Sequence, residues 1–189
     1  GRLSFLVFII ILGLESARQA VASLKKGRRI EELEQFALND SMTGFYNRNA
    51  YDYFIYNEKN IKNYMVVTFD LNNLKMCNDN YGHSSGDAYI IHSAHIIETT
   101  FDRFGKCYRI GGDEFCCLIP DAAEFQIERF IQKMQQDIAI LNNKNIIPTE
   151  VGIACGYALA TPDDADIEKV RERADEMMYH NKKVLKGLI

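Results

Sequence analysis

The chain has 189 residues, 47% of them hydrophobic, and a formal net charge of −4. That length suits one domain plus an extension, with enough apolar residues for a core. The acidic balance excludes the basic footprint of a nucleic-acid binder, and an anionic nucleotide would need local help from a metal ion, a helix N-terminus or a few placed lysines. The five cysteines, Cys77, Cys107, Cys116, Cys117 and Cys155, are odd in number and contain no CxxC spacing. This argues against a disulfide framework or a zinc site and for reduced core thiols in a cytosolic domain.

The first element is an apolar run from Leu3 to Leu14. It is shorter than the roughly 20 residues that span a bilayer. It reads as the last part of a transmembrane helix covering residues 1–14; a signal-peptide core or an oligomer-forming helix are the other readings. Lys25, Lys26, Arg28 and Arg29 follow it. Positive charge beside a membrane segment marks the cytoplasmic side, so the rest of the chain is expected there, attached to the inner face of the membrane. Residues 15–39 read as a helical linker. Leu14, Ala17, Val21 and Leu24 follow a 3-4-3 spacing, Gly27 interrupts it, and Ile30, Leu33 and Ala37 resume it in a shifted frame. A short, broken coiled coil fits this pattern; a helix packed on its own domain is the alternative.

The main domain is expected over residues 40–189. Tyr64 to Leu71 is a β-rich apolar run and predicts a buried strand. Gly86 to Phe101 has helical spacing. Lys106 to Ile110 and Phe115 to Ile119 predict a hairpin around the Gly111-Gly112 turn. Ala122 to Leu141 predicts an amphipathic helix, Glu150 to Ala160 a strand, and Ile167 to Lys186 a final helix. The order predicts an α/β (α+β) sandwich: a central mixed sheet flanked by helices, with an N-terminal helical extension.

Asp70 closes the first buried strand, and Asp113 and Glu114 occupy the hairpin turn. If hairpin and strand pair, these carboxylates meet at one sheet edge. They then repel one another unless a hard cation neutralises them. Magnesium takes one or two protein carboxylates and leaves room for substrate phosphates, so the residues point to a metal–nucleotide site. An Asp-Glu pair alone is more often a solvated turn; the two glycines, which permit close approach of a ligand, weigh the other way.

RIGGDEF (109–115), DSMTGFYNR (40–48), FDLNNLKMCNDNYGHSSGD (69–87) and ADEMMYHNK (174–182) stand in the order and spacing of the motifs of GGDEF-domain diguanylate cyclases. The chain resembles that family from Asp40 to about Lys186. The resemblance implies a sandwich related to nucleotide cyclase and palm-like folds. It also implies GTP as substrate and Mg2+ (or Mn2+) held by the side chains of Asp70 and Asp113 and the carbonyl of Leu71. Asp113 or Glu114 would accept the proton of the attacking hydroxyl. Asn78 and Asp87 would read the guanine edge, since a carboxylate accepts from guanine N1–H and N2–H₂ where adenine has no such donor pair. His83 would be a further nucleotide contact or a structural hydrogen bond. Lys75, Lys182 and Lys186 would meet phosphates, with the backbone N–H groups of Asn72, Asn73 and Leu74 as a cradle.

The sequence also departs from the family pattern. Asn72 stands where a second aspartate is common, Leu74 where an aromatic is common, and Lys186 where arginine is common, so a bidentate phosphate contact is lost there. The family's inhibitory RxxD site falls on Asp102-Arg103-Phe104-Gly105, which lacks both charges in place. The expected activity is condensation of two GTP into cyclic di-GMP by a homodimer that an upstream membrane sensor region controls. Two rivals are a non-catalytic GTP-binding or dimerisation relay and a cyclase making a monomeric 3′,5′-cyclic nucleotide. The full acidic and guanine-reading set argues against both.

Overall fold

The computed structural model describes residues 1, 12–16, 18–22, 24–26, 36–58, 60–122 and 126–185. It divides into two compact units, Gly1–Ala37 and Leu38–Ile189. In the first unit the described stretches 12–16, 18–22 and 24–26 are helical. Leu14, Val21 and Leu24 are exposed on them. Most of the apolar run (residues 3–11), Arg28 and Arg29, and the interruption with its shifted frame (Gly27, Ile30, Leu33) lie outside the described residues. Among the described residues no helix is long and apolar enough to cross a membrane.

In the second unit, α1 (Arg48–Asn57) precedes β1 (Met65–Leu71), and α2 (Leu74–Tyr81) and α3 (His83–Phe101) follow it. The hairpin β2 (Lys106–Arg109) and β3 (Glu114–Ile119) comes next, then α4 (Ile127–Asn143), β4 (Ile153–Leu159) and α5 (Ile167–Leu185). The sheet order is β2-β3-β1-β4.

The expected α/β sandwich is borne out, with one refinement. Its four strands pair antiparallel throughout, and the parallel pairing implied by a mixed sheet is confined to the isolated Tyr46–Tyr108 bridge. The helical crossovers do join strands running the same way, β1 to β2 and β3 to β4. Each crossover skips a position, which an antiparallel strand fills. This is the split βαβ arrangement.

β1 reads as a continuous apolar run because both its faces are covered. Met65, Val67, Phe69 and Leu71 pack in one cluster with Tyr89, Ile97 and Phe101 of α3 and Met134 of α4. Val66 joins the other, with Tyr51 of α1 and Ile167, Val170 and Ala174 of α5. Side chains alternate along a strand, so Asp70 falls on the α5 face. On that face α5 rests directly on β4: a Cβ at Gly156 would lie 2.2 Å from the Ala174 carbonyl and the Met178 amide. No side chain fits there, and this contact brings the end of α5 over the end of β1.

The expectation of reduced core cysteines holds for Cys77, Cys116 and Cys155, which are free and buried. Burial pushes all three thiols up, Cys155 to about 12. It is corrected for Cys107 and Cys117, which form a disulfide. The β2–β3 register sets them directly opposite, with Cα atoms 4.3 Å apart.

Candidate functional site

The acidic residues meet through strand register. Asp70 pairs with Glu114 in the β1–β3 ladder, and the Leu71 N–H donates to the Asp113 carbonyl at 3.0 Å. Asp70 is buried, Asp113 half-buried and Glu114 exposed. The edge thus grades from core to solvent, as a site open to a soluble substrate requires.

Lys182 of α5 reaches this edge, its Nζ 2.5 Å from Asp70 Oδ1. The donors are a pair of carboxylates and a carbonyl, all hard oxygens of the kind Mg2+ prefers. Asp70 already holds a cationic partner, and Asn72 Oδ1 beside it is buried without a hydrogen-bond partner. These residues fit a cation. Among the described residues no group of three or more His, Cys, Asp or Glu side chains is gathered for a metal.

The turn carrying Asp113 is held from below. Ile110 N–H bonds the Glu114 carbonyl at 2.9 Å. Arg109 donates to the Gly112 carbonyl at 2.9 Å and to both Asp40 oxygens at 3.0 and 3.2 Å. Neither Gly111 nor Gly112 has a positive φ, so backbone strain does not require glycine here. A Cβ at Gly112 would meet nothing within 4 Å, which leaves the turn open on that side.

Burial alone would raise the Asp40 carboxyl, but hydrogen bonds from Thr43 and Arg109 outweigh it and hold it below its ordinary 3.8. A depressed folded value stabilises the protein above the unfolded value, and that stability is lost as pH falls through the folded one. The Asp40→Asn variant is therefore expected to melt lower than wild type at neutral pH, by about 1.5–3 kcal/mol. The two melting curves should converge on acidification. A gap that stays constant with pH would refute the ion pair.

Beyond β1 the chain enters α2 through Asn73, whose φ of 60° is left-handed and whose side chain makes no cap hydrogen bond. The first-turn amides of a helix lack intrahelical acceptors, so the amides opening α2 face outward with the helix dipole behind them. One element of the expected cradle is corrected. The Asn72 N–H is committed to the Gly152 carbonyl at 2.8 Å, because Asn72 extends the β1–β4 ladder by one residue. Asn73 and Leu74 remain as cradle amides, and Lys75 is exposed on the same turn.

The α2–α3 reversal is made at Gly82, with φ 83°. Its N–H bonds the Asn78 carbonyl at 2.8 Å. The reversal lays Asn78 against α3 so closely that a Cβ at Gly86 would lie 2.0 Å from Asn78 Oδ1. Asn78 therefore stands beside Gly86-Asp87, with Asp87 exposed. His83 is exposed too. Lys186 lies outside the described residues.

The sequence did not single out Tyr89, Arg109 or Asp40. The Tyr89 hydroxyl bonds the Asn72 carbonyl at 2.8 Å, the Gly152 carbonyl at 3.1 Å and the Gly152 N–H at 2.7 Å. Burial pushes this phenol up to about 12, so it keeps its proton.

These motifs now have relatives. The profile of the family described as diguanylate cyclase, GGDEF domain, matches residues 37–186. Diguanylate cyclase DgcN of Escherichia coli K12 is 31% identical over 157 residues, covering 80% of this chain and 38% of that protein. The bifunctional diguanylate cyclase/cyclic di-GMP phosphodiesterase MucR of Pseudomonas aeruginosa is 30% identical over 188 residues, covering 93% of this chain and 27% of that protein. The chain thus spans well under half the length of either. Among solved structures, the coiled coil and GGDEF domain of DgcB from Caulobacter crescentus, in complex with c-di-GMP, superimposes with a TM-score of 0.75 at 23% identity. It covers 89% of this chain and 94% of that one, a likeness of fold. With the family profile matched over residues 37–186, the chain belongs to the GGDEF-domain family of diguanylate cyclases.

Proposed function

We propose that this chain is a diguanylate cyclase that condenses two GTP into cyclic di-GMP and two pyrophosphates. The observation that carries the reading is the register that sets Asp70 opposite Glu114 and ties Leu71 to Asp113, beside the uncapped start of α2. Asp70, Asp113 and the Leu71 carbonyl would hold Mg2+ or Mn2+. When bound, the ion supplies charge stabilisation at the transferring phosphoryl group and favours ionisation of the attacking hydroxyl.

The residues do the rest. Asn78 and Asp87 bind the guanine edge, with His83 as an outer contact. The Asn73 and Leu74 amides, Lys75, Lys182 and Lys186 bind the triphosphate. Lys182 is already at the acidic edge, so a small movement takes it from Asp70 to a phosphate. The 3′-hydroxyl of one GTP attacks the α-phosphorus of the other. A new P–O bond forms, the bond to pyrophosphate breaks, and Asp113 or Glu114 accepts the hydroxyl proton. A second round closes the ring.

One domain holds one GTP, so the reaction needs two domains with facing sites, and holding both nucleotides in place supplies much of the acceleration. The exposed Leu14, Val21 and Leu24 have heptad-type spacing, which supports the N-terminal helix as the dimerising rod. The apolar run before it supports attachment to the inner face of a membrane, downstream of a sensor.

Incubating the protein with GTP and Mg2+ and identifying products by mass tests the reading. Cyclic di-GMP with pyrophosphate is expected. Intact GTP would favour the relay, and 3′,5′-cyclic GMP the other cyclase.

A further inference from the structure

One buried side chain connects the metal edge to the base-reading helix. It rests on the reading just given, that the end of β1 holds a metal–nucleotide complex. The Leu71–Asn72 peptide sits where the regular ladder ends. Its N–H points at the Gly152 carbonyl, 2.8 Å away. In a planar trans peptide the C=O points opposite to the N–H, so the Leu71 carbonyl faces the other way, toward the Asp113 turn. One residue later the backbone turns left-handed at Asn73, so little else fixes this peptide.

Tyr89 does. Its ring is fully buried, and its hydroxyl accepts from the Gly152 N–H while sharing its one proton between the Asn72 and Gly152 carbonyls. The three bonds close the junction between the end of β1 and the residue before β4. Tyr89 is also two residues from Asp87 on α3, so the same side chain sets the spacing between the acidic edge and the guanine-reading carboxylate. Gly152 has no Cβ, which at 3.3 Å from Asn72 Nδ2 would crowd the junction.

We propose that Tyr89 is a positioning residue of the metal–nucleotide site: its hydroxyl clamps the Asn72–Gly152 junction so that the Leu71 carbonyl stays aimed at the acidic turn. It touches neither metal nor substrate.

The test is the Tyr89→Phe variant of the full chain, with Ile97→Val, a core change on the same helix away from the junction, as the comparison. Free Mn2+ is followed by electron paramagnetic resonance during titration in the presence of 3′-deoxy-GTP, which lacks the attacking hydroxyl and cannot turn over. Removing an outer partner of a ligand weakens metal binding by about 10–100-fold. Tyr89→Phe is expected to lose Mn2+ affinity by at least about tenfold, while Ile97→Val, with a similar loss of melting temperature, keeps wild-type affinity. A variant with p-aminophenylalanine at position 89, which restores a donor and an acceptor, should recover affinity and covers the case in which the phenylalanine variant folds poorly. Equal Mn2+ affinity in wild type and Tyr89→Phe overturns the role of Tyr89 alone. A wild-type protein that binds no Mn2+ with the nucleotide overturns the metal reading and this assignment together.

Discussion

Replacing Asp113 with alanine is expected to abolish cyclic di-GMP formation while leaving the fold intact. The two effects separate because the structural bond at this position uses backbone: the Leu71 N–H donates to the Asp113 carbonyl, which alanine retains. The carboxylate itself supports no described hydrogen bond, so its loss should leave the melting temperature near wild type. Chemistry should suffer more. Losing a general base alone costs about 10²–10⁴-fold, and a carboxylate that also holds the cation takes charge stabilisation with it. Asp70→Asn should be as damaging to turnover, and it also breaks the Lys182 ion pair. Product is to be quantified by mass and folding by thermal melting on the same samples. Turnover within tenfold of wild type in Asp113→Ala would remove the role assigned to it.

The second large effect is expected from one methyl group. Gly86→Ala would put a Cβ 2.0 Å from Asn78 Oδ1 and 2.8 Å from its Cγ. The obstacle is the end of a half-buried side chain that can rotate away, so the fold should survive. Gly156 is the contrast, because there the obstacle would be the backbone of α5. Rotating Asn78 would remove the guanine contact proposed for it and leave the proposed contact of Asp87 alone. A lost hydrogen bond in a binding site costs about 1–3 kcal/mol, or about 5- to 150-fold in GTP affinity at 1.4 kcal/mol per factor of ten. Discrimination against ATP should narrow too. Calorimetric titration of GTP and ATP into both proteins checks this, and unchanged GTP affinity would detach Asn78 from base recognition.

How far the sequence carried the reading follows from what each residue depends on. β1, the hairpin and α3 were legible because their period or turn chemistry is local. α1 was not, because RNAYDYFIYN is rich in aromatic residues that suit strands as well; its helix depends on the Asn47 cap and on burying Tyr51. α2 has only eight residues, follows a left-handed Asn73 and has no regular apolar stripe. The antiparallel character of the sheet depends on which strand fills the position each crossover skips, and composition does not encode that.

The site divides the same way. The acidic, guanine-reading and lysine positions came from motifs and from their resemblance to a family. The meeting of the acidic residues at one edge came from the register of Asp70 with Glu114. The Asp40–Arg109 clamp, 69 residues apart, and the Tyr89 junction with Gly152, 63 apart, leave no spacing for a sequence to show. Cys107 and Cys117 are ten apart, a spacing without a motif, and they become partners only once β2 and β3 pair. The commitment of the Asn72 N–H to β4 likewise depends on where the ladder stops.

The strand end and the acidic turn are together expected to hold a cation bearing a guanine triphosphate. Crystals grown with Mn2+ and 3′-deoxy-GTP locate that cation directly by its anomalous scattering. A peak is expected within about 2.0–2.3 Å of Asp70, Asp113 and the Leu71 carbonyl, with the triphosphate over the start of α2. A manganese peak elsewhere, with Lys182 still bound to Asp70, would contradict it.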